Sequence, residues 1–237
     1  HQTMMDVVGN NIANVNNEDF SRQTVALEAQ HPNRSQFGAG VDVQGVSRVS
    51  DRFLNQRLIG EQSRAGALDI RQQGLRRLEG LFAEVEGFGL RGALNEFWGA
   101  WGSLANSPET EIYRQDLVQS STNLADRISG LSRDFHNMRQ EQNGSIAGGA
   151  GRLNELARQL AEVNTAIQRS NRGAKGDTND LEDRREGVIK EMSSIVQLDW
   201  FVGEDTMAYV NIGNGWPLVN GRRVNPVEAS FDSGEAG

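Results

Sequence analysis

Apolar residues recur every three to four positions at the start of the chain, at Met4, Met5, Val8, Ile12 and Val15. That period predicts an amphipathic helix already under way at residue 1. The Asn-rich stretch behind it suits a helix exit, because asparagine tolerates left-handed backbone. Val25, Leu27 and Ala29 then alternate with polar residues, as do Val41 and Val43. His31-Pro32-Asn33-Arg34-Ser35, with Gly38 and Gly40, lies between them. The pattern predicts two extended strands joined by a long loop.

From about Asp51 the period becomes helical. Leu54, Leu58, Ala65, Leu68, Leu75, Phe82 and Val85 fall near a seven-residue repeat, with Glu61 and Gln72 interrupting the seam. Gly87 and Gly89 break it. Leu90, Leu94, Phe97, Trp98, Trp101 and Leu104 form a strongly apolar face, which predicts that both tryptophans pack in a core. Ser107-Pro108 reads as the start of another helix, with Ser107 as N-cap and Pro108 at the first position. That helix would carry Tyr113, Leu117, Leu124, Ile128, Leu131, Phe135 and Met138 to about Asn143. Gly148-Gly149-Ala150-Gly151 is expected to be a break or hinge. Leu153, Leu156, Leu160, Val163 and Ile167 then alternate spacings of three and four, a coiled-coil-like seam expected to be intramolecular core.

A polar loop, 171–179, precedes a last helix bearing Leu181, Val188, Met192 and Ile195. After Trp200 the pattern turns to strands. Met207 to Ile212 and Trp216 to Val219 flank Gly213-Asn214-Gly215, a hairpin turn. Ser230 to Gly237 reads as a frayed end. The fold class expected is mainly α, an elongated bundle of long antiparallel helices with small β-hairpin elements. Its parts are an N-terminal helix and strand pair (1–50), a long-helix bundle (51–200), and a hairpin opening the next segment (201–237).

Composition narrows the chemistry. Aromatics make up 6% and hydrophobic residues 37%, which suits long helices that each bury one stripe. A net charge of −8 argues against nucleic acid and anionic membranes, which attract basic surfaces. The chain has no cysteine, so disulfides, thiolate metal sites and Cys nucleophiles are excluded. No apolar run approaches the roughly 18 residues of a membrane span.

Candidate catalytic motifs are weak. Gly87-Phe88-Gly89-Leu90-Arg91-Gly92 has dinucleotide-binding spacing but no surrounding βαβ pattern, so it reads as a helix-breaking loop. Asp177-Thr178-Asn179-Asp180 opens like a calcium loop yet lacks the turn glycine, and a helix start explains it better. His1, His31 and His136 form no ligand pair, and His136 is expected to be solvated. Glu182, Asp183, Arg184, Arg185 and Glu186 read as a salt-bridged helix face. Neither a metal nor a cofactor is implied, and an enzyme acting through paired carboxylates would require a cleft with perturbed acids.

The run Asn10-Asn11-Ile12-Ala13-Asn14-Val15-Asn16-Asn17-Glu18-Asp19-Phe20-Ser21-Arg22-Gln23 resembles the N-terminal signature of flagellar axial proteins. Its Ser-Arg-Gln ending resembles the flagellar hook-associated protein 1 (FlgK) family within that group. Further similar segments follow in the same order: Gly40 to Val43 through Arg48, Asp51, Phe53 and Leu54; Leu104 to Pro108 with Arg114-Gln115; Asn179 to Glu186; and Gly213 to Gly215 with Leu218, Val219 and Gly221. Glu18-Asp19-Phe20 departs from the family's usual Pro-Gly turn.

The resemblance implies a non-enzymatic structural adaptor at the hook–filament junction, exported to the extracellular flagellum without a cleaved signal peptide. It implies axial packing with copies of itself, with the flagellar hook protein and with the second hook-associated junction protein. An export chaperone would bind a C-terminal part beyond this chain, which resembles a fragment of a longer protein. Val8, Asn10, Asn11, Ile12, Asn14, Val15 and Asn16 are the expected axial interface. On physics alone the asparagines fit either a capped, solvated helix end or amide packing against neighbours. The alternatives are another axial component, such as the second junction protein or a rod or hook subunit, and a helical adhesin-like binding module.

Overall fold

A computed structural model describes residues 2–17, 20–29, 41–82, 89–172 and 178–231. The elements in order are α1 (Gln2–Ala13), β1 (Gln23–Ala29), β2 (Val41–Arg48), α2 (Arg52–Phe82), α3 (Leu90–Asn106), α4 (Glu111–Arg172), α5 (Asn179–Ile195), β3 (Leu198–Val202), β4 (Ala208–Ile212), β5 (Trp216–Asn220) and β6 (Arg223–Val224). The mainly helical class with small antiparallel β elements is therefore observed. The described residues fall into two compact units. One combines the residues up to Ala67 with Gly149–Glu228, and the other combines Leu68–Gly148 with the residues from Ala229 on.

The first unit holds the main core. Leu153, Leu156, Ala157 and Leu160 on α4 pack with Val188, Ile189 and Met192 on α5 and with Ile59 on α2. Leu198, Trp200, Ala208, Val210, Leu218 and Val219 close this cluster from the sheet. The seam read from spacing is thus internal, and Val163 and Ile167 are buried as well. The sheet is antiparallel in the order β3-β4-β5-β6, so hairpins alone build it. On β3, Leu198 and Trp200 face the core while Asp199 and Phe201 are exposed, as a period of two requires. Gly213 and Gly215, at φ 56° and 91°, supply the left-handed geometry of the β4–β5 turn. β1 and β2 form a separate antiparallel pair, with Gln23 opposite Arg48 and a register step between Ala26 and Leu27.

The second unit contains the rest of α2, all of α3 and the first part of α4. On α3, Leu90, Ala93, Phe97, Ala100 and Leu104 turn inward at spacings of three and four. The neighbouring stripe, Leu94, Trp98 and Trp101, faces out. Trp98 is 62% and Trp101 53% exposed, so the expected core packing of both tryptophans is not found. α3 is apolar over an arc wider than one packed stripe, and the aromatic residue taken inward is Phe97. Its ring lies 5.1 Å from Trp98, edge to face, and 6.2 Å from Trp101.

Other expectations are corrected. Gly148 to Gly151 do not break the chain, because α4 runs through them without interruption. Each glycine costs about 1 kcal/mol in a helix but keeps its N–H, and long flanking helix absorbs that. The glycines instead mark where α4 passes from one unit to the other. Ser107 is the C-cap of α3, its N–H bonded to Ser103 and Leu104 carbonyls, and α4 starts later at Glu111. On α2 the leucine seam faces out, with Leu54, Leu58, Leu68 and Leu75 exposed. The packed residues are Ile59 and Ser63, the latter donating to the Val196 carbonyl at 3.5 Å. His136 is exposed beside Gln140, as expected. The 31–35 loop, Gly38, Gly40, Val85, Gly87, Phe88, Asp177 and the tail 232–237 lie outside the described residues, as do Glu18 and Asp19.

Candidate assembly interface

Two faces of α1 behave in opposite ways. Val7 is its one buried residue, while Val8, Ile12 and Val15 are 56%, 67% and 75% exposed, and Met4 and Met5 are open too. Asn16 is also exposed, whereas Asn10, Asn11 and Asn14 are half-buried. The seven residues expected at an interface therefore divide into an open apolar stripe and an internal amide cluster.

The amides hold the helix to β1. The Asn11 carboxamide meets the Gln23 main chain as a neighbouring strand would. Its Nδ2 donates to the Gln23 carbonyl at 2.9 Å, and the Gln23 N–H donates to its Oδ1 at 2.9 Å. Asn14 Nδ2 donates to both the carbonyl and Oδ1 of Asn10, at 3.1 and 2.9 Å, closing the last turn of helix. Such bonds explain why poor helix formers stand here, since they satisfy end groups that the helix itself cannot.

β1 is in turn fastened to α5. The buried Gln23 donates from Nε2 to Asp180 Oδ1 at 3.2 Å, and the Ser21 N–H donates to Asp183 Oδ2 at 3.0 Å. From β2, Arg48 reaches three carboxylates on α5: Glu182 at 3.1 Å, Asp183 at 2.6 Å and Glu186 at 2.5 Å. The Arg48 side chain is only 6% exposed. Burial disfavours its charge, but the hydrogen bonds it donates to Glu186 and Asp183 outweigh that and hold its pKa above the ordinary value. Asn55 donates to the second oxygen of Glu186 at 2.8 Å, and Asn179 donates to the Val46 carbonyl at 3.0 Å. The acidic run on α5 was expected to pair along its own helix. Its partner is instead a cation 135 residues away in sequence at Asp183.

Beside this network, the residues after α1 and the outer face of α5 line a cleft of about 470 Å³, with Asn14, Phe20, Asp180, Arg184 and Glu191 in its walls. The cleft is polar and open, a shape suited to side chains of a docked surface. Among the described residues, no group of three His, Asp or Glu is placed to hold a metal ion. Among them, too, no helix is long and apolar enough to cross a membrane.

The motifs that resemble one family at 10–23, at Arg48 and at 179–186 thus meet in one network. Residues 75–237 match the family model described as the flagellar hook-associated protein FlgK helical domain. The chain belongs to the FlgK family. Flagellar hook-associated protein 1 of Salmonella typhimurium is 28% identical over 98% of this chain and 43% of its own length. The Bacillus subtilis protein of the same name is 27% identical over 83% of this chain and 41% of its own length. The chain therefore spans less than half the length of these FlgK relatives. The solved structure of the flagellar hook junction protein FlgK from Burkholderia pseudomallei shares the fold, with a TM-score of 0.66 at 18% identity over 72% of this chain and 30% of that one.

The FlgK-like motifs do not reveal by themselves that Arg48 meets α5. The charge pattern at 182–186 was visible in the sequence, but a cation outside the helix left no periodic signal.

Proposed function

We propose that this chain is the N-terminal portion of a structural flagellar subunit, a non-enzymatic adaptor at the junction of hook and filament. The observation that carries this reading is the open apolar stripe of α1 and the turn after it, Val8, Ile12 and Val15, on a segment fixed from its other side by amide bonds. A solvent-facing apolar stripe on an anchored helix is an association surface. Its relatives carry the name of a hook-associated protein, which supplies the place in the flagellum.

The partners in this reading are further copies of the chain, the hook protein on one side and the second hook-associated protein on the other. Export through the flagellar channel needs no cleaved signal peptide, and a chaperone would bind beyond this chain. Val8, Ile12, Val15 and Asn16 meet the neighbours. Asn10, Asn11 and Asn14 hold the helix that presents them.

The test is deletion of the gene, followed by electron microscopy and an assay for flagellin in the medium. Hooks without filaments and secreted monomeric flagellin are expected. Complementation by Ile12→Asp should restore secretion of the protein but not filaments. Normal filaments in the deletion strain would overturn the reading.

A further inference from the structure

We propose that Arg48 and the carboxylates of α5 form a polar latch that positions the arm comprising α1, β1 and β2, and that this arm can detach while the core stays folded. The proposal concerns the arm's attachment, and only its consequence for assembly rests on the function proposed above.

The attachment is almost entirely polar. Among the described residues, the main core begins at Ile59 and takes nothing from the arm. Val7 is the buried residue of α1, and the first five residues of β2 are exposed. Among the described residues, the polar contacts of the β pair with α5 lie near its base. There Ser21, Gln23, Val46 and Arg48 contact Asp183, Asp180, Asn179 and the Glu182-Asp183-Glu186 set. Opening these contacts would uncover hydrogen-bonding groups that water can satisfy, and little apolar surface. Elements held in this way open locally, separately from global unfolding.

Within the latch Arg48 is the keystone. Three carboxylates converge on one guanidinium, and two of them take one further donor each: Ser21 N–H on Asp183 and Asn55 on Glu186. Without the cation, the acids would face one another at close range and lose the guanidinium they converge on. Lysine keeps the charge and three donors, but they sit on one compact ammonium and do not match carboxylates placed at Nε, Nη1 and Nη2 of a planar fork.

The experiment is hydrogen exchange measured by mass spectrometry on the whole 237-residue chain and its Arg48→Ala and Arg48→Lys variants. In Arg48→Ala, peptides covering 21–25 and 43–48 should exchange about a hundredfold faster or more, the scale of a broken buried ion pair. Peptides covering 153–167 and 188–192 should keep their protection. Arg48→Lys should fall between the parent and Arg48→Ala, a graded rescue that loss of packing volume alone would not give. Unchanged arm protection in Arg48→Ala would overturn the latch. Equal loss of protection in the core, or global unfolding, would overturn the arm's independence. Exchange in the isolated chain reads the latch even if the junction role fails, and filament assembly reads the junction role even if the latch fails.

Discussion

Asn164 is a fully buried amide in the middle of the apolar α4 seam, and its replacement tests how the sheet is held to that helix. Its Nδ2 donates to the carbonyls of Ala208 at 2.9 Å and Gly221 at 2.7 Å, and its Oδ1 accepts the Ala208 N–H at 2.9 Å. Gly221 sits at φ 61°, where a side chain would be strained and would press on Met207. The turn therefore cannot easily shift to find other partners. Asn164→Ala removes all three bonds and leaves one donor and two acceptors buried. At about 1 kcal/mol per bond, and more where a group stays unsatisfied, the loss is about 3–5 kcal/mol.

For a domain of this size each kcal/mol lowers Tm by about 2–4 °C, so calorimetry should show a fall of about 6–20 °C. Asn164→Asp separates hydrogen bonding from volume, since it keeps the shape but turns a donor into an acceptor facing two carbonyls. Position 164 is fully buried, and burial disfavours the charged form of the introduced carboxyl, so its folded pKa is raised above the usual ~3.9. The sign follows. Destabilisation relative to the parent is small below about pH 4 and grows as pH rises, because the charged form is the disfavoured one. Asn164→Ala has no such slope. A Tm loss under about 2 °C for the alanine variant, or parallel pH profiles for the two variants, would refute the assignment of these bonds as structural.

Two further outcomes are expected. Leu160 has no solvent exposure, and Leu160→Asp would bury an unpaired charge at a cost of several kcal/mol, so the helical circular dichroism signal should collapse; an unchanged spectrum would contradict its placement. The Tyr209 hydroxyl donates to Asp205 at 2.8 Å, and that bond, aided by slight burial and by the charge of Asp205, raises its pKa above 10.0. A raised pKa means that this contact stabilises the fold below that range and fades as pH climbs through the folded value. Ultraviolet titration should show the Tyr209 midpoint moving down towards 10.0 in Asp205→Asn, and an unmoved midpoint would count against the bond.

The parts of the fold legible in sequence were those in which one apolar period dominates. Leu153 to Ile167 could be read because each member is apolar and all face the same partners. On α2 the same rule failed, since the leucines lie on the outer face. The inner face carries Ile59, which packs in the core, with Asn55 and Ser63, whose value comes from bonds to Glu186 and to the Val196 carbonyl. Residue polarity alone cannot signal such partners when they lie more than a hundred residues away. Gly148 to Gly151 misled for a related reason, because local propensity is overridden by the long flanking stretches of α4. At the candidate interface, the apolar stripe was visible as a period and is exposed as an association surface requires. The carboxamide bonds of Asn11 and the Arg48 clamp were not legible, because no periodicity encodes a pairing between distant elements.

The geometry of α1 gives that division a physical basis. Val7, Asn11 and Asn14 stand at i, i+4 and i+7, and so do Val8, Ile12 and Val15 one residue later. A one-residue offset turns the stripe by about 100° around the helix. The first stripe faces the chain's own β1 through Asn11, and the second faces solvent. The usual arrangement of a surface helix, apolar side inward and polar side out, is inverted here. Internal anchoring uses directional amide bonds beside one buried apolar residue, Val7, and leaves Val8, Ile12 and Val15 uncovered. Those residues remain for a partner, which would gain about 1.5–3 kcal/mol for each large side chain it fully covers. A helix anchored in this way presents its adhesive stripe at a defined angle, and that angle is set through β1 and the contacts Arg48 makes with α5.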